Sequence, residues 1–141
     1  MIVIDANLLV FAYDTRSPFH EKSRSWLEKA FSGPEGVGLP WHSIGAFLRI
    51  TTNPRLPGAR PATEAAREVE NWLAQPNVRI LSPSEDHWHT LRRMIFEGQA
   101  LGPLVSDAQL AALTIENGGV LYSSDRDFAR FPGLRWVNPL A

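Results

Sequence analysis

The sequence contains no cysteine, and this absence excludes disulfide bonds and thiolate metal sites. A chain without cysteine fits a reducing compartment, so we expect a soluble, cytoplasmic protein. The apolar N-terminus, MIVIDANLLVFAY, has no basic region and is interrupted by Asp5 and Asn7, so it predicts neither a signal peptide nor a membrane span. Phosphate-cradling strings of the GxxxxGK or GxGxxG type are also missing, which leaves nucleotide-dependent chemistry without support.

Lysine is scarce, because twelve of the fourteen basic residues are arginine and only Lys22 and Lys29 are lysine. The formal net charge of −1 argues against a generally basic nucleic-acid surface, so a polyanionic partner would need a local patch. Arg49, Arg55 and Arg60 lie in an acid-free stretch and are candidates for contact with an RNA backbone. A solvated loop with incidental charges explains the three arginines equally well.

Apolar residues make up 44% of the 141 residues and charged residues 21%, values typical of one globular domain over residues 1–141. Short apolar runs alternate with longer amphipathic patterns along the chain. The runs MIVID, GVGL, VRIL, VLYS and RWV predict strands, and the segments between most of them predict helices. This alternation predicts an α/β fold with a mostly parallel central sheet covered on both faces.

Three serines are predicted helix N-caps: Ser17 (followed by Pro18), Ser84 and Ser106. Gly33 and Gly118 or Gly119 are predicted to end the first and the last of these helices. The helical spacing of apolar residues predicts the buried faces of the amphipathic helices. The residues predicted to face inward are Phe19, Trp26, Leu27, Ala30, Phe31, Ile44, Phe47, Leu48, Ala66, Val69, Trp72, Leu73, Trp88, Leu91 and Ile95.

Three distant aspartates are predicted to meet at one edge of the sheet. Asp5 ends the first strand, Asp125 follows the strand VLY, and Asp107 falls in the first turn of the helix near Ser106. Ligands of open parallel sheets bind outside the carboxyl ends of the strands, where helices also begin. Two carboxylates about 4 Å apart repel one another by roughly 4 kcal/mol at an effective dielectric near 20, so a fold that gathers them needs raised pKa values or a bound cation.

Oxygen ligands without cysteine favour Mg²⁺ or Mn²⁺ over Zn²⁺, and such ions act on phosphodiesters. Each aspartate also has a simpler explanation. Asp5 can serve as a turn residue, Asp107 as a favourable charge at a helix N-terminus, and Asp125 with Asp127 as an Asx turn. The joint occurrence of the acids at one edge is the argument for a site.

Three motifs, VIDANLLVFAYD, SDAQLAAL and SSDRDFARFPGL, together resemble the PIN-domain ribonucleases, and specifically the VapC-type toxins of bacterial toxin–antitoxin pairs. The resemblance covers essentially the whole chain, and AFLRITTNPR is similar to one VapC subgroup. It implies a PIN-like three-layer α/β/α fold and a Mg²⁺-dependent endoribonuclease that cleaves RNA by metal-activated water. It also implies a cognate antitoxin and a toxin homodimer.

The resemblance implies roles for six residues of this chain. Asp5, Asp107 and Asp125 would be catalytic acids and metal ligands, and Asp127 an auxiliary acid; Ser124 matches a common hydroxyl position, and Asn7 would orient Asp5.

One position departs from the family pattern, because Ala46 stands where members often carry a glutamate. Either the aspartates suffice, or another acid such as Glu97 or Asp86 approaches, or metal affinity is weakened. A PIN fold that binds RNA or antitoxin without cleavage is therefore a rival hypothesis. A phosphohydrolase with Asp5 as nucleophile is disfavoured, since no catalytic lysine string is evident.

Several aromatic residues and histidines have functional and structural explanations. Trp41 and His42 could stack on an unpaired base, although core packing or a loop anchor is the preferred prediction for Trp41. His20, His87 and His89 are predicted to be ordinary surface or half-buried histidines.

Overall fold

The computed structural model describes residues 1–141 and contains one five-stranded sheet with six α-helices. The strands are β1 (Ile2–Ile4), β2 (Val37–Pro40), β3 (Val78–Leu81), β4 (Val120–Tyr122) and β5 (Trp136–Val137). The helices are α1 (Ala6–Tyr13), α2 (His20–Ser32), α3 (Trp41–Thr52), α4 (Ala62–Leu73), α5 (His87–Glu97) and α6 (Leu104–Glu116), and a 3₁₀ turn spans Arg126–Arg130.

The strand order is β3-β2-β1-β4-β5, and every neighbouring pair is parallel. The five carboxyl ends therefore lie along one edge of the sheet. In β1 all three residues are buried, which suits a central strand that is covered on both faces. The predicted parallel sheet is confirmed.

Alternation of side chains along β1 divides the core into two layers. Ile2 and Ile4 pack in a cluster with residues of α1 to α4, whereas Val3 packs in a second cluster with residues of α5 and α6. Phe47 and Trp72 form an edge-to-face pair in the first cluster, with ring centroids 4.7 Å apart. The predicted three-layer α/β/α architecture is confirmed.

The three predicted helix starts differ from the observed ones by two or three residues. α2 begins at His20, and the Ser17 hydroxyl accepts a hydrogen bond from the backbone of Phe19 in the preceding turn. α5 begins at His87, three residues after Ser84. α6 begins at Leu104, so Ser106 lies inside its first turn instead of capping it. The predicted end at Gly118 agrees with the structure, where this glycine has a positive φ of 62° just after the helix.

The predicted apolar faces are wrong at several positions. Phe19 is exposed and stacks on Phe11, with ring centroids 5.1 Å apart. In α4 the buried face runs through Ala65, so Ala66 and Leu73 point outward. Trp88 in α5 is 65% exposed, because the buried face of this helix is set by Leu91 and Met94. Trp41 is 59% exposed, so core packing, one of the two structural explanations preferred for it, is wrong there.

No helix of the structure combines the length and the apolar character that a membrane crossing requires.

Candidate metal centre at the carboxyl edge of the sheet

Asp5 lies where β1 ends and α1 begins, and its carboxylate is held on both oxygens. One oxygen accepts a hydrogen bond from the backbone of Ala6 at 2.7 Å, and the other accepts one from the Ser123 hydroxyl at 2.7 Å. Burial raises the pKa of Asp5, and the two hydrogen bonds counteract part of this rise. Asp5 is therefore a positioned carboxylate at the edge of the sheet.

Ser123 is completely buried and connects the end of β4 to the end of β1. Besides donating to Asp5, its hydroxyl accepts hydrogen bonds from the Asn7 amide at 3.2 Å and from the backbone of Asp125 at 3.0 Å. Asn7 also donates to the Ser124 hydroxyl at 2.9 Å. Asn7 thus acts on Asp5 through Ser123, a residue that the sequence analysis did not single out.

Asp107, Asp125 and Asp127 bring their carboxylate oxygens within 4.8 Å of one another. Asp107 lies in the first turn of α6, and the other two acids follow β4, so the sheet edge joins residues far apart in sequence. The pKa of Asp107 is raised to about 6, first by burial and then by the charges of the other three aspartates, while Arg130 opposes the rise. The four aspartates form one electrostatically coupled group.

This group suits a divalent cation, because all its donors are carboxylate oxygens and their mutual repulsion would be relieved by a positive charge. Asp125 also starts the 3₁₀ turn, where one of its oxygens accepts a hydrogen bond from the backbone of Asp127 at 2.9 Å. The Asx turn considered as an alternative is therefore present, and it coexists with the acidic cluster.

No other acid completes the cluster at Ala46. Ala46 lies in the middle of α3 and is partly buried. Glu97 lies in the last turn of α5, where it faces Arg93 at 3.7 Å. Asp86 is exposed at the opposite end of α5, beside His87, which is bonded to Glu116 at the end of α6. The cluster of three carboxylates includes neither Glu97 nor Asp86.

His42 occupies the turn of α3 that precedes Ala46, on the same side of the helix. Its Nε2 and the Ser106 hydroxyl are joined by a hydrogen bond of 2.6 Å, next to Asp107 in the chain. Its Nδ1 is buried and has no hydrogen-bond partner. The imidazole also acts on Asp5, because its charge lowers the pKa of that carboxyl against the larger effect of burial. His42 therefore belongs to the edge that holds the acids.

The three candidate arginines have different surroundings. Arg60 pairs with Glu64 at 2.9 Å and lies over the Tyr13 ring, 4.7 Å from its centroid. The backbone of Arg55 donates to the Asn53 side chain in an exposed turn. Arg49 is exposed on α3 and forms no ion pair.

The remaining histidines are half-buried or exposed, as predicted. His20 is bonded to the backbone oxygen of Phe11 at 3.0 Å, His87 is bonded to Glu116, and His89 is exposed.

Two cavities, of about 560 and 410 Å³, are both lined by Tyr13 and by none of the four aspartates of the sheet edge, and the second is also lined by Pro57. Asp107 and Asp125 are partly buried and Asp127 is exposed, so all three carboxylates of the cluster can be reached from solvent.

Comparison with known proteins gives a consistent result. A family model for the PIN domain matches residues 2–134. Ribonuclease VapC37 of Mycobacterium tuberculosis is 39% identical over 142 residues, a match that covers 100% of this chain and 99% of the relative. Ribonuclease VapC33 of the same organism is 37% identical over 141 residues, which covers 99% of each chain.

Two solved structures share the fold at low identity. VapBC2 from Rickettsia felis, bound to a DNA fragment from its promoter, matches with a TM-score of 0.74 at 15% identity over 98% of both chains. VapC20 of Mycobacterium tuberculosis, described as a toxin that cleaves the sarcin–ricin loop, matches with a TM-score of 0.67 at 18% identity over 96% of this chain and 99% of its own. The family model that matches residues 2–134 shows that the chain belongs to the PIN domain family. Its full-length identity to VapC37 and VapC33 places it in the VapC group of that family.

Proposed function

We propose that this protein is a divalent-metal-dependent endoribonuclease and the toxin of a type II toxin–antitoxin pair. The observation that carries the proposal is the group of four aspartates at the carboxyl edge of the sheet, three of which have oxygens within 4.8 Å of one another. The ribonuclease names of the full-length relatives support RNA as the substrate.

Asp5, Asp107 and Asp125 would hold Mg²⁺, or Mn²⁺ in its place, with Asp127 as an auxiliary ligand. A bound ion of this kind lowers the pKa of a water and neutralises the charge that develops on the phosphate. Ser123 and the backbone of Ala6 keep Asp5 oriented toward the edge. Asp107 has a pKa of about 6, so it is mostly ionised near neutral pH and available as a ligand.

The test is cleavage of a fluorescent single-stranded RNA by the purified protein. We expect cleavage with Mg²⁺, none with EDTA, and a loss of at least about 100-fold in Asp5→Asn, since even changes to the partners of metal ligands cost 10- to 100-fold. Asp86→Asn is the matched control, because this acid is exposed at the far end of α5. Full activity of Asp5→Asn would contradict the assignment.

The presence of Ala46 in place of an acid favours one second candidate, a PIN module that binds RNA or antitoxin without cleaving RNA. Metal titration separates the two candidates. An ion that binds only the folded protein raises the unfolding temperature with concentration, and Asp5→Asn should reduce that rise. A binding-only module would show no Mg²⁺-dependent shift and no cleavage.

We further propose an antitoxin partner, a homodimer and a cytoplasmic location. Solved structures of the same fold are toxin–antitoxin complexes, among them one from Klebsiella pneumoniae. The homodimer is what the resemblance of the sequence to the VapC-type toxins implies. Light scattering gives the mass of the purified chain, and co-expression with the product of the neighbouring gene tests whether a complex forms and suppresses cleavage.

A further inference from the structure

Trp41 is held at the edge that carries the acids. It is the first residue of α3 and follows β2 directly. The parallel register pairs Val3 with Gly38, and its continuation sets Asp5 opposite Pro40, in a neighbouring strand about 4.8 Å away. Trp41 therefore leaves the sheet one residue beyond the level of Asp5. The next residue, His42, reaches across to Ser106 and anchors this end of α3 beside the acidic cluster.

The indole of Trp41 is largely exposed, in contrast to most other tryptophans of the chain. Trp72 is almost completely buried, and Trp136 is partly buried and donates a hydrogen bond from Nε1 to the backbone oxygen of Ser123. Trp41 is 59% exposed, and only Trp88, at the opposite end of the sheet, is comparably exposed. An exposed aromatic face beside a site for a nucleic acid is available for stacking on a base.

The exposed side of α3 continues from Trp41 through Gly45 to Arg49, at successive intervals of four residues. A side chain at Gly45 would meet nothing within 4 Å, so the helix surface between the indole and the guanidinium is open. At 1.5 Å per residue the two side chains start about 12 Å apart along the helix. No acidic residue occurs in the sequence between Trp41 and Arg60, so α3 itself carries no carboxylate that would repel a phosphate backbone.

We propose that Trp41 stacks on an unpaired base of the RNA beside the scissile phosphate, while Arg49 contacts a phosphate further along the same strand. The proposal rests on the proposed ribonuclease function and assigns contact with a base to a residue outside the acidic cluster. A base that is paired within a duplex is stacked on its neighbours and does not offer its face to the indole. Trp41 is thus a specificity determinant, separate from the acids that hold the ion.

The test is the affinity for a short single-stranded oligoribonucleotide carrying 2-aminopurine, measured by fluorescence anisotropy in EDTA so that no cleavage occurs. Trp41→Ala should bind it about 10- to 100-fold more weakly, and Trp41→Phe, which keeps an aromatic face, should restore most of the affinity. Trp88→Ala is the matched control and should bind like wild type. Quenching of 2-aminopurine by wild type and its loss in Trp41→Ala report stacking directly. Arg49→Ala should reduce the dependence of binding on salt by about one ion.

The inference would be overturned by a wild type that does not bind the oligonucleotide in EDTA, or by a Trp41→Ala variant that binds as tightly as wild type. It would also be overturned if Trp41→Ala weakened binding of a duplex of the same sequence by the same factor. A change in the molecular mass of Trp41→Ala would overturn it as well, since the indole would then be a dimer contact. If wild type cleaves RNA with Mg²⁺ and Trp41→Ala binds normally, only this inference fails. If wild type cleaves no RNA, the proposed function itself fails.

Discussion

Removal of the Asp107 charge is expected to stabilise the metal-free protein even though it removes a proposed ligand. The pKa of this carboxyl is about 6 instead of the usual 3.8, because of burial and then of the charges of Asp125, Asp5 and Asp127. This difference corresponds to about 3 kcal/mol of unfavourable free energy in the ionised state. Solvent screening of the partly exposed side chain, and the favourable charge in the first turn of α6 that is lost, reduce the expected gain to about 1–2 kcal/mol.

The sign of the effect depends on pH. A raised pKa means that the folded protein holds more protons than the unfolded chain between pH 3.8 and about 6, so the stability of wild type falls as the pH rises through this window. Asp107→Asn cannot ionise at this position. Its advantage over wild type should therefore be absent below about pH 3, where the carboxyl is protonated in the folded and the unfolded chain, still small near pH 4, and complete above about pH 7. Urea unfolding in EDTA at about pH 4 and about pH 7.5 measures the difference.

Asp86→Asn provides the control, since it removes one exposed negative charge without touching the cluster. It should change the free energy of unfolding by less than about 0.5 kcal/mol at either pH. Mg²⁺ should stabilise wild type and Asp86→Asn but much less the Asp107→Asn variant. The reasoning would be refuted if Asp107→Asn were no more stable than wild type at pH 7.5 in EDTA, or if its gain were the same at pH 4.

Two further perturbations test the hydrogen bonds of the structure. Ser123→Ala removes the buried donor to Asp5 and should therefore raise the pKa of Asp5 further. It should also lower the free energy of unfolding by about 1–3 kcal/mol and weaken Mg²⁺ binding about 10- to 100-fold. Ser124→Ala is the control, because this hydroxyl has no bond to Asp5, and equal effects of the two variants in urea and metal titrations would contradict a specific role of the bond between Ser123 and Asp5. Burial opposes the ionisation of Glu116, but hydrogen bonds from Ser84 and His87 outweigh it and hold the pKa of Glu116 below 4.5. The ionised Glu116 therefore stabilises the fold above pH 4.5, and this contribution is lost as the pH falls through the pKa of the folded state. Glu116→Gln should lower the free energy of unfolding by about 1–2 kcal/mol at pH 7 and progressively less in acid. A loss of stability that does not depend on pH would refute this prediction.

The architecture could be predicted from the sequence because its signals are local. Apolar runs of three to five residues and amphipathic helices between them indicate a parallel sheet whatever the details of packing. The helix starts were less predictable. At Ser106 the chain already follows helical geometry set by Pro103 and Leu104, and at Ser84 the hydroxyl is engaged by Glu116 from a different helix. Capping residues indicate that a helix begins nearby, and tertiary contacts decide at which residue.

The errors at Trp88 and Trp41 have one physical origin. Large aromatic side chains are usually buried, so helical spacing with a tryptophan suggests an inward face. In α5 the neighbouring Leu91 and Met94 define a different inward face, which leaves Trp88 in solvent. Trp41 starts α3 at the sheet edge, where no helix covers it. Spacing alone could not reveal either exposure, because both depend on which elements lie alongside.

The acids of the candidate site could be predicted from the sequence, but the hydrogen bonds around them could not. Asp5 and Asp125 follow strands and Asp107 begins a helix, so their common edge follows from the fold class. Ser106 and His42 meet across α6 and α3, and no local pattern relates residues 64 positions apart. The sequence offered one indication that His42 belongs to the site: it lies four residues before Ala46, and residues four apart lie on the same side of a helix.

The hydrogen bond between Ser123 and Asp5 could have been predicted from the sequence if the order of the strands had been known. β1 and β4 are adjacent and parallel, and their register pairs Ile4 with Tyr122. The backbone of Asp5 donates to Tyr122 at 3.1 Å, so the next pair in the same register is Asp5 with Ser123, and their side chains meet at 2.7 Å. Once β4 is known to be the neighbour of β1, the contact follows without further assumption. Strand order is set by how the helices pack over both faces, which is a property of the whole chain. The hydrogen-bond partner of Asp5 is therefore determined by residues that never touch Asp5.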